Sequence, residues 1–354
     1  GTEALSMCVR KAVNEMLGSL AEDAGIRRED VFQVCVVGNT CMHHLFLGIS
    51  PASLVHAPYT PAVSERLVLN AGDYGLAVQE RAELIMLSDI AGYVGADTCG
   101  CLLAIRQDQQ EEISLMIDIG TNGEMVLGNR ERMVTCSTAA GPAFEGAKIE
   151  CGMRGAAGAV DHVKYEDGKW NYTTVGNKPA VGLCGSGLID LVAGLLDAGM
   201  LDENGVLRSG QEKQGVFILV PPERGGNERG VYLTQKDLGE VQLAKAAIAA
   251  GIQMLMERLG ITEDDICSVY IAGAFGNYMD PISAGKIGLL PATLVKKVKP
   301  VGNAAGEGAK IALVNEKEML EMDELVRKIE FVELAASADF QDHFIDELGF
   351  ETGE

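Results

Sequence analysis

The sequence predicts an α/β protein, and three observations support this prediction. Apolar runs end in glycine-rich turns and are followed by helical spacing, as at Val31–Gly38 and Val269–Gly273. A three-stranded meander is predicted for Ile113–Cys136, with turns at residues 120–123 and 128–130. Glycine contributes 43 of 354 residues, about 12% against a usual value of about 7%, and clusters after the apolar runs.

Composition excludes several classes of function. A formal net charge of −22 repels a phosphate backbone and anionic lipid, so neither nucleic acid nor a membrane surface is an expected partner. No apolar stretch of the sequence reaches the roughly 18 residues that a transmembrane helix needs. Nine cysteines, an odd number without a C-x-x-C pair, indicate reduced thiols in a cytoplasmic protein.

Helical spacing and capping signals predict three longer helices. They cover residues 3–25, Leu188–Ala198 and Lys236–Leu259, the last with Thr234 as its N-cap. A further helix is expected over Asn277–Gly288, and a last strand over Lys328–Val332. Residues 202–230 are predicted to form a loop or an edge hairpin, because they are rich in glycine, glutamate and arginine.

A weak internal repeat predicts two similar α/β halves. Val34–Gly38 and Val269–Gly273 each follow a long helix and a short charged turn, and each precedes another helix. We therefore predict a first lobe at residues 1–112 and a second lobe at residues 113–354. The first lobe lacks a counterpart of the meander, so we expect it to be truncated at its N-terminus.

The segment Ile117–Glu124 is the strongest candidate for a phosphate site. Gly120 and Gly123 leave backbone N–H groups open to a phosphate, since no Cβ blocks approach. Asp118 is placed to hold hydrated Mg²⁺, and Thr121 and Asn122 add hydrogen bonds. The alternative is an ordinary hairpin whose aspartate caps its own turn.

Two further glycine-rich segments are candidate nucleotide contacts. Gly185, Ser186 and Gly187 open a helix, whose N-terminus can bind an anion. Gly273, Ala274 and Gly276 follow a strand and would let a base or ribose lie against the backbone. Close packing of helix against strand is the alternative explanation for both segments.

Four polar residues outside the glycine-rich segments each have more than one possible role. Glu145 could position a water or Mg²⁺, cap a helix, or pair with Arg154. Asp190 could bind Mg²⁺ or stabilise the start of its helix. His43 and His44 point about 100° apart on a helix, so joint binding of one metal is disfavoured. Packing and capping are favoured for them, and a contact to a nucleotide or to a partner protein is the alternative.

The order hairpin, glycine-rich helix, Ala-Gly strand end resembles the actin-like ATPase superfamily, which includes acetate and sugar kinases, Hsp70 and actin. The resemblance implies two ribonuclease H-like lobes around a nucleotide cleft. In that superfamily the hairpin takes phosphate and the later glycine motif takes adenosine. On this basis the nucleotide contacts are expected at Gly120, Thr121, Asn122, Gly123, Gly185, Ser186, Gly187, Gly273, Ala274 and Gly276.

One subfamily is more similar still. The strings Val37–His44, Asp118–Glu124, Ser137–Gly146, Cys184–Asp190 and Ala272–Gly276 resemble those of the reductive activators of corrinoid proteins. The resemblance implies an ATPase that uses ATP and Mg²⁺ to drive reduction of Co(II) to Co(I). It also implies a corrinoid protein or corrinoid methyltransferase as partner, and we expect a homodimer.

Within this resemblance, Asp118 and Glu145 are the candidate catalytic residues, with Asp118 also the candidate metal ligand. The electron passes through an iron–sulfur cluster in that family. This sequence has neither C-x₄-C-x₂-C nor C-x₂-C-x₂-C, so a [2Fe–2S] cluster is expected only in an N-terminal domain outside it. The family's first Asp-Ile-Gly-Thr hairpin would also precede residue 1.

Three other functions remain open. A small-molecule kinase of the same superfamily would consume ATP in response to a metabolite. A non-catalytic module would dimerise and dock a corrinoid protein without turning over ATP. An activator of 2-hydroxyacyl-CoA dehydratases is disfavoured, because a suitable pair of cluster cysteines is missing from the sequence.

Overall fold

The computed structural model describes residues 1–208 and 215–350. The strands are β1 Gln33–Val36, β2 Leu67–Asn70, β3 Glu83–Met86, β4 Ile113–Ile119, β5 Gly123–Gly128, β6 Met133–Thr138, β7 Ala159–Glu166, β8 Lys169–Thr174, β9 Gly182–Leu183, β10 Val216–Val220, β11 Val231–Thr234, β12 Ile266–Ala272, β13 Val298–Gly302 and β14 Glu330–Phe331. The α-helices are α1 Thr2–Ala24, α2 Thr40–Leu47, α3 Ala96–Ile105, α4 Gly185–Asp197, α5 Gln235–Leu259, α6 Gly273–Gly276, α7 Pro281–Lys286, α8 Ala304–Val314, α9 Glu316–Val326 and α10 Ala338–Asp346.

The chain forms two compact units. The first contains residues 1–111, 129–135 and 303–331, and the second contains residues 112–128, 136–302 and 332–354. No helix within the described residues combines the length and the apolar composition that a bilayer crossing requires.

The first unit contains a three-stranded sheet in the order β1-β3-β2, with β1 and β3 parallel. Phe46, Leu84 and Met86 are buried in its core. Helix α1 packs there through Val9, Val13 and Leu17, which lie on one face because they are four residues apart. Also in this unit, Val134 and Thr135 of β6 pair with Glu330 and Phe331 of β14.

The main sheet of the second unit positions the predicted phosphate hairpin. Strand β4 pairs with β12 in parallel and with β5 antiparallel, and β13 pairs with β12 on its far side. Leu115, Met116 and Ile117 of β4 are fully buried, as expected for a central strand covered on both faces. The predicted meander is confirmed in β4, β5 and β6.

Helix α5 shows how local sequence sets the boundaries of an element. The Thr234 side chain accepts from the Asp237 N–H, and the Asp237 side chain accepts from the Thr234 N–H. This reciprocal capping box confirms the predicted N-cap. At the other end, Gly260 in the left-handed conformation terminates the helix.

Some predicted elements differ from the observed ones. The single helix expected over Asn277–Gly288 is wrong: only Pro281–Lys286 is α-helical there, starting at the Asp280 cap with proline in its first turn. The strand expected at Lys328–Val332 shortens to Glu330–Phe331. In the segment predicted as a loop or edge hairpin, residues 202–230, β10 pairs with β11, which begins just after the segment at Val231. Residues 209–214 lie outside the described residues.

Candidate functional site

The end of strand β4 lies beside the end of strand β12. Their parallel register pairs Asp118 with Ala272. Gly273 follows with φ +86°, and a Cβ at this position would lie 2.9 Å from Asp118 Oδ1. Two of the predicted motifs therefore meet at the carboxyl end of the sheet, where α/β folds bind ligands.

The hairpin turn itself is closed by one of its own amides. The Gly120 N–H donates to the Asn122 carbonyl at 2.9 Å, so this N–H serves the turn. Gly123 is buried, and a Cβ there would lie 2.9 Å from Thr138 Oγ1. Thr121 is exposed and Asn122 is half-buried, so the side chains at the tip of the turn are accessible.

Glu145 extends this site from another segment. It ends the 3₁₀-helix Pro142–Glu145 and is exposed. Its Oε1 accepts a hydrogen bond from Thr121 Oγ1 at 2.5 Å. The predicted polar residues of the hairpin and of the Ser137–Gly146 string are therefore in direct contact.

The third glycine-rich segment joins the site through two aromatic rings. Phe144 and Phe275 are stacked, with ring centroids 5.7 Å apart and planes 16° from parallel. A Cβ on Gly185 would lie 2.0 Å from the Phe144 carbonyl oxygen and 2.8 Å from the Phe275 ring. Only glycine allows this approach, which brings the start of α4 to the Ala272–Gly276 segment.

The side chains of the α4 motif serve packing. Ser186 is buried and donates to the Asp161 carbonyl at 2.8 Å. A Cβ on Gly187 would lie 2.2 Å from the Val160 carbonyl oxygen. The start of this helix has no side-chain cap among the described residues, so backbone N–H groups are what it could offer an anion. Contact of Gly185, Ser186 and Gly187 with nucleotide stays a prediction.

Asp190 lines a cavity of about 770 Å³ that the sequence did not predict. Its carboxylate accepts from the Val163 N–H at 3.2 Å and lies 3.1 Å from His162 Nδ1. Burial raises the pKa of Asp190, and its polar neighbours Ser283 and His162 oppose that shift. Tyr278, in the segment after Gly276, also lines this cavity. An isolated aromatic residue just past a glycine-rich strand end was the signal available in the sequence.

The side chains of the two adjacent histidines, His43 and His44, make polar contacts within the first unit. His43 Nδ1 lies 3.1 Å from Asp89 Oδ2. His44 Nδ1 lies 2.7 Å from the Thr40 carbonyl, and its Nε2 accepts from the Ala62 N–H at 2.9 Å. Packing and capping, the favoured interpretation, therefore describe their observed contacts.

The side chains of the described residues suit one of the implied cofactors, Mg²⁺, better than the other, an iron–sulfur cluster. No group of three or more His, Cys, Asp or Glu side chains among the described residues could hold a metal ion. The part of the chain that the structure describes therefore does not fit an iron–sulfur cluster. Mg²⁺ at a nucleotide differs, because it is usually held by one or two carboxylates together with phosphates and water. Asp118 fits that requirement.

Comparison with known proteins agrees with these motifs. The model of the C-terminal domain of RACo, the ASKHA (actin-like ATPase) domain, matches residues 112–354, and the RACo middle region matches residues 1–110. A solved structure named reductive activator for corrinoid, iron–sulfur protein superposes with a TM-score of 0.91 and 37% identity. It covers 99% of this chain, and this chain covers 57% of it. The predicted actin-like α/β fold is confirmed.

Two curated relatives extend the comparison. The corrinoid activation enzyme RamQ of Eubacterium limosum is 34% identical over 352 residues, covering 95% of this chain and 59% of that protein. The [Co(II) methylated amine-specific corrinoid protein] reductase of Methanosarcina barkeri is 29% identical over 303 residues, covering 79% and 54%. The chain thus spans between half and three-fifths of the length of these relatives. It belongs to the RACo family, with a match to the middle region and to the C-terminal ASKHA domain of that family.

Proposed function

We propose that this chain is the ATP-binding and partner-binding part of a reductive activator of corrinoid proteins. The observation that carries the proposal is the meeting of three glycine-rich segments in one unit. Asp118 lies against Gly273, Thr121 contacts Glu145, and Gly185 lies against Phe144 and Phe275. The names of the matched relatives supply the activity.

The nucleotide would bind at the carboxyl end of the second unit's main sheet. Residues 120–123 would face the phosphates, and Gly273, Ala274 and Gly276 would lie along the nucleoside. Asp118 would hold hydrated Mg²⁺, which offsets phosphate charge. Glu145 would orient a water toward the terminal phosphate and accept its proton, because its carboxylate is exposed beside the hairpin.

ATP would favour the reduced partner through differential affinity for two states. Reduction of Co(II) to Co(I) takes up one electron from a reductant. A nucleotide can shift that equilibrium only by as much as its binding differs between two conformations of the activator. We therefore propose that the ATP-bound form binds the corrinoid protein in a state in which the cobalt accepts the electron more readily.

Several finer properties belong to the same proposal. We place the [2Fe–2S] cluster outside residues 1–354 and the protein in the cytoplasm, where its nine free cysteines stay reduced. Leu5, Met16 and Leu20 of α1 are 54%, 56% and 63% exposed and share one helix face, which favours a homodimer. We also propose that the boundary between the two lobes lies between residues 112 and 113.

The test is an absorbance assay of Co(II) conversion to Co(I). It combines the full-length protein, a corrinoid protein and a reductant, with and without ATP. We expect a Co(I) yield that requires ATP and that Asp118→Ala abolishes. A yield independent of ATP would contradict the proposal. ATP consumption that responds to a metabolite and not to the corrinoid protein would favour the kinase alternative.

A further inference from the structure

A groove along helix α1 lies wholly within the first unit. It has a volume of about 480 Å³, and Arg28, Tyr74 and Gly75 line it together with residues of α1. The residues that α1 contributes extend from Met7 to Glu15, eight positions or about 12 Å at 1.5 Å per residue. The groove is therefore as long as a short stretch of polypeptide.

This groove is separate from the apolar face of α1 that favours a homodimer. Successive residues of an α-helix are rotated by about 100°. Met7 and Asn14, which line the groove, consequently point about 180–200° away from Leu5 of the apolar face. The two surfaces can be tested independently.

Arg28 is held against α1 at Gly18. A Cβ at Gly18 would lie 2.0 Å from Arg28 Nη2, so the guanidinium group occupies the space that a side chain there would fill. Glycine is less favourable than alanine inside a helix, and this contact gives a physical reason for it. The ion pair of this segment, among the residues that the structure describes, joins Arg27 to Asp30 at 2.8 Å, and Arg28 has none.

Arg10 is also oriented by uncharged groups. Its Nε donates to the Phe46 carbonyl at 2.8 Å, and its Cζ lies 5.1 Å from the centroid of the Tyr74 ring. The face of an aromatic ring attracts a guanidinium group at this distance. Within residues 1–208 and 215–350, no carboxylate forms an ion pair with Arg10. Both arginines thus keep N–H donors for a ligand.

The groove is locally positive on a chain that is strongly acidic. Lys11 and Glu15 lie 3.8 Å apart, so their charges offset each other, and Arg10 and Arg28 leave a local excess of two positive charges. The whole chain has a formal net charge of −22. Because salt screens charges beyond about 10 Å at 0.1 M, an acidic group that reaches the groove is attracted although the chain as a whole repels it.

The spacing of the two guanidinium groups favours a chain segment over a small anion. Arg10 and Gly18, against which Arg28 lies, are eight positions or about 12 Å apart on α1. In an extended segment, residues four apart point to the same side and span about 13 Å. Two carboxylates at that spacing can each pair with one arginine, whose fork of N–H donors matches a carboxylate. Met7, 65% exposed, adds apolar surface to the same groove.

We propose that this groove docks an acidic segment of a partner protein. The segment is extended and carries two carboxylates about four residues apart, one for Arg10 and one for Arg28. Docking of this kind needs no nucleotide, so the proposal does not rest on the proposed function.

The test measures the fluorescence anisotropy of a labelled decaglutamate peptide with the full-length protein at low ionic strength. Wild type should bind the peptide saturably, and added salt should weaken binding because it screens exposed charges. Arg28→Gln should weaken binding about tenfold, the loss expected for a hydrogen bond to a charged group. Gly18→Ala keeps the charge but displaces the guanidinium group, so it should weaken binding at least about threefold without lowering the free energy of unfolding in urea.

Arg27→Gln is the matched control. It removes the same charge from the next residue, but Arg27 pairs with Asp30 and does not line the groove, so affinity should change by less than about twofold. Equal losses in Arg27→Gln and Arg28→Gln would show that net charge alone attracts the peptide and would overturn the proposal. Absence of decaglutamate binding would overturn it too, and inorganic tripolyphosphate bound in an Arg28-dependent way would then assign the groove to phosphates. Each of these results leaves the proposed nucleotide site unaffected.

Discussion

Asp118 Oδ1 occupies the space that a side chain on residue 273 would need, 2.9 Å from the position of a Cβ on Gly273. The contact joins the end of β4 to the end of β12 across paired strands. It explains why a glycine follows the Ala272 position. At φ +86° only glycine is relaxed, and any larger residue would push the carboxylate away.

Gly273→Ala should therefore weaken nucleotide binding as well as lower the free energy of unfolding. The methyl group displaces Asp118, so we expect Mg-ATP affinity to fall about tenfold or more, with a stability cost of about 1–2 kcal/mol from the positive φ. Calorimetry and urea denaturation measure the two effects. Gly239→Ala, in α5 with nothing within 4 Å of the added Cβ, is the control. It should leave affinity unchanged and raise stability by up to about 1 kcal/mol. Equal nucleotide affinity in both variants would refute the role of the contact.

Gly185→Ala tests the packing that holds α4 at the site. The added Cβ would lie 2.0 Å from a backbone oxygen, and a buried backbone cannot move aside easily. We expect a loss of about 1–3 kcal/mol in the free energy of unfolding, measured in urea. Gly155→Ala, where nothing lies within 4 Å, should change it by less than about 0.5 kcal/mol. Similar values for the two variants would show that the close approach is not required.

Glu145→Gln removes the negative charge of Glu145 while keeping its hydrogen bond with Thr121. Glutamine still accepts the Thr121 hydrogen bond, so Mg-ATP affinity should change by less than about threefold. A neutral amide cannot take a proton from water, so ATP hydrolysis should slow by about 100-fold. Steady-state phosphate release measures the rate. Thr121→Val keeps the charge and loses the hydrogen bond, so it should slow hydrolysis less than Glu145→Gln. Unchanged hydrolysis in Glu145→Gln would remove Glu145 from the mechanism.

Asp97→Asn tests a buried carboxyl in the first unit. Burial raises the pKa of Asp97, and the nearby Asp89 raises it further, while the Thr98 N–H donates to its carboxylate. Above the ordinary value of 3.8 the folded state thus holds a proton that the unfolded state has lost, so wild-type stability falls as pH rises through the raised pKa. Asparagine keeps the acceptor for Thr98 and removes this dependence. Its gain over wild type, measured by urea denaturation, should grow as pH rises above 4. A gain that shrinks with rising pH would contradict the assignment.

Local signals in the sequence predicted the elements of this site well. The meander around residues 120–123 and the Thr234–Asp237 capping box follow from turn and cap chemistry, which acts over a few residues. The helix predicted over Asn277–Gly288 began too early, because the capping signal of Asp280 before Pro281 was not used. That aspartate caps a new helix instead of continuing an old one.

Contacts between distant segments could not be predicted in the same way. Thr121 meets Glu145, and Phe144 stacks on Phe275, only because the fold brings these segments together. Asp190 illustrates the same limit. The sequence suggested Mg²⁺ binding or support of its helix, whereas its carboxylate is oriented by His162 and the Val163 N–H from a neighbouring strand. Such pairings depend on strand register, which no single motif specifies.

The central claim is that Asp118 and the hairpin at 120–123 bind Mg-ATP, and calorimetry on the full-length protein tests it most directly. Wild type should bind ATP at one site per chain in the presence of Mg²⁺. Asp118→Asn should weaken that affinity about tenfold or more, since it removes the charge that would hold the metal. Equal affinities for Mg-ATP in wild type and Asp118→Asn would contradict the account.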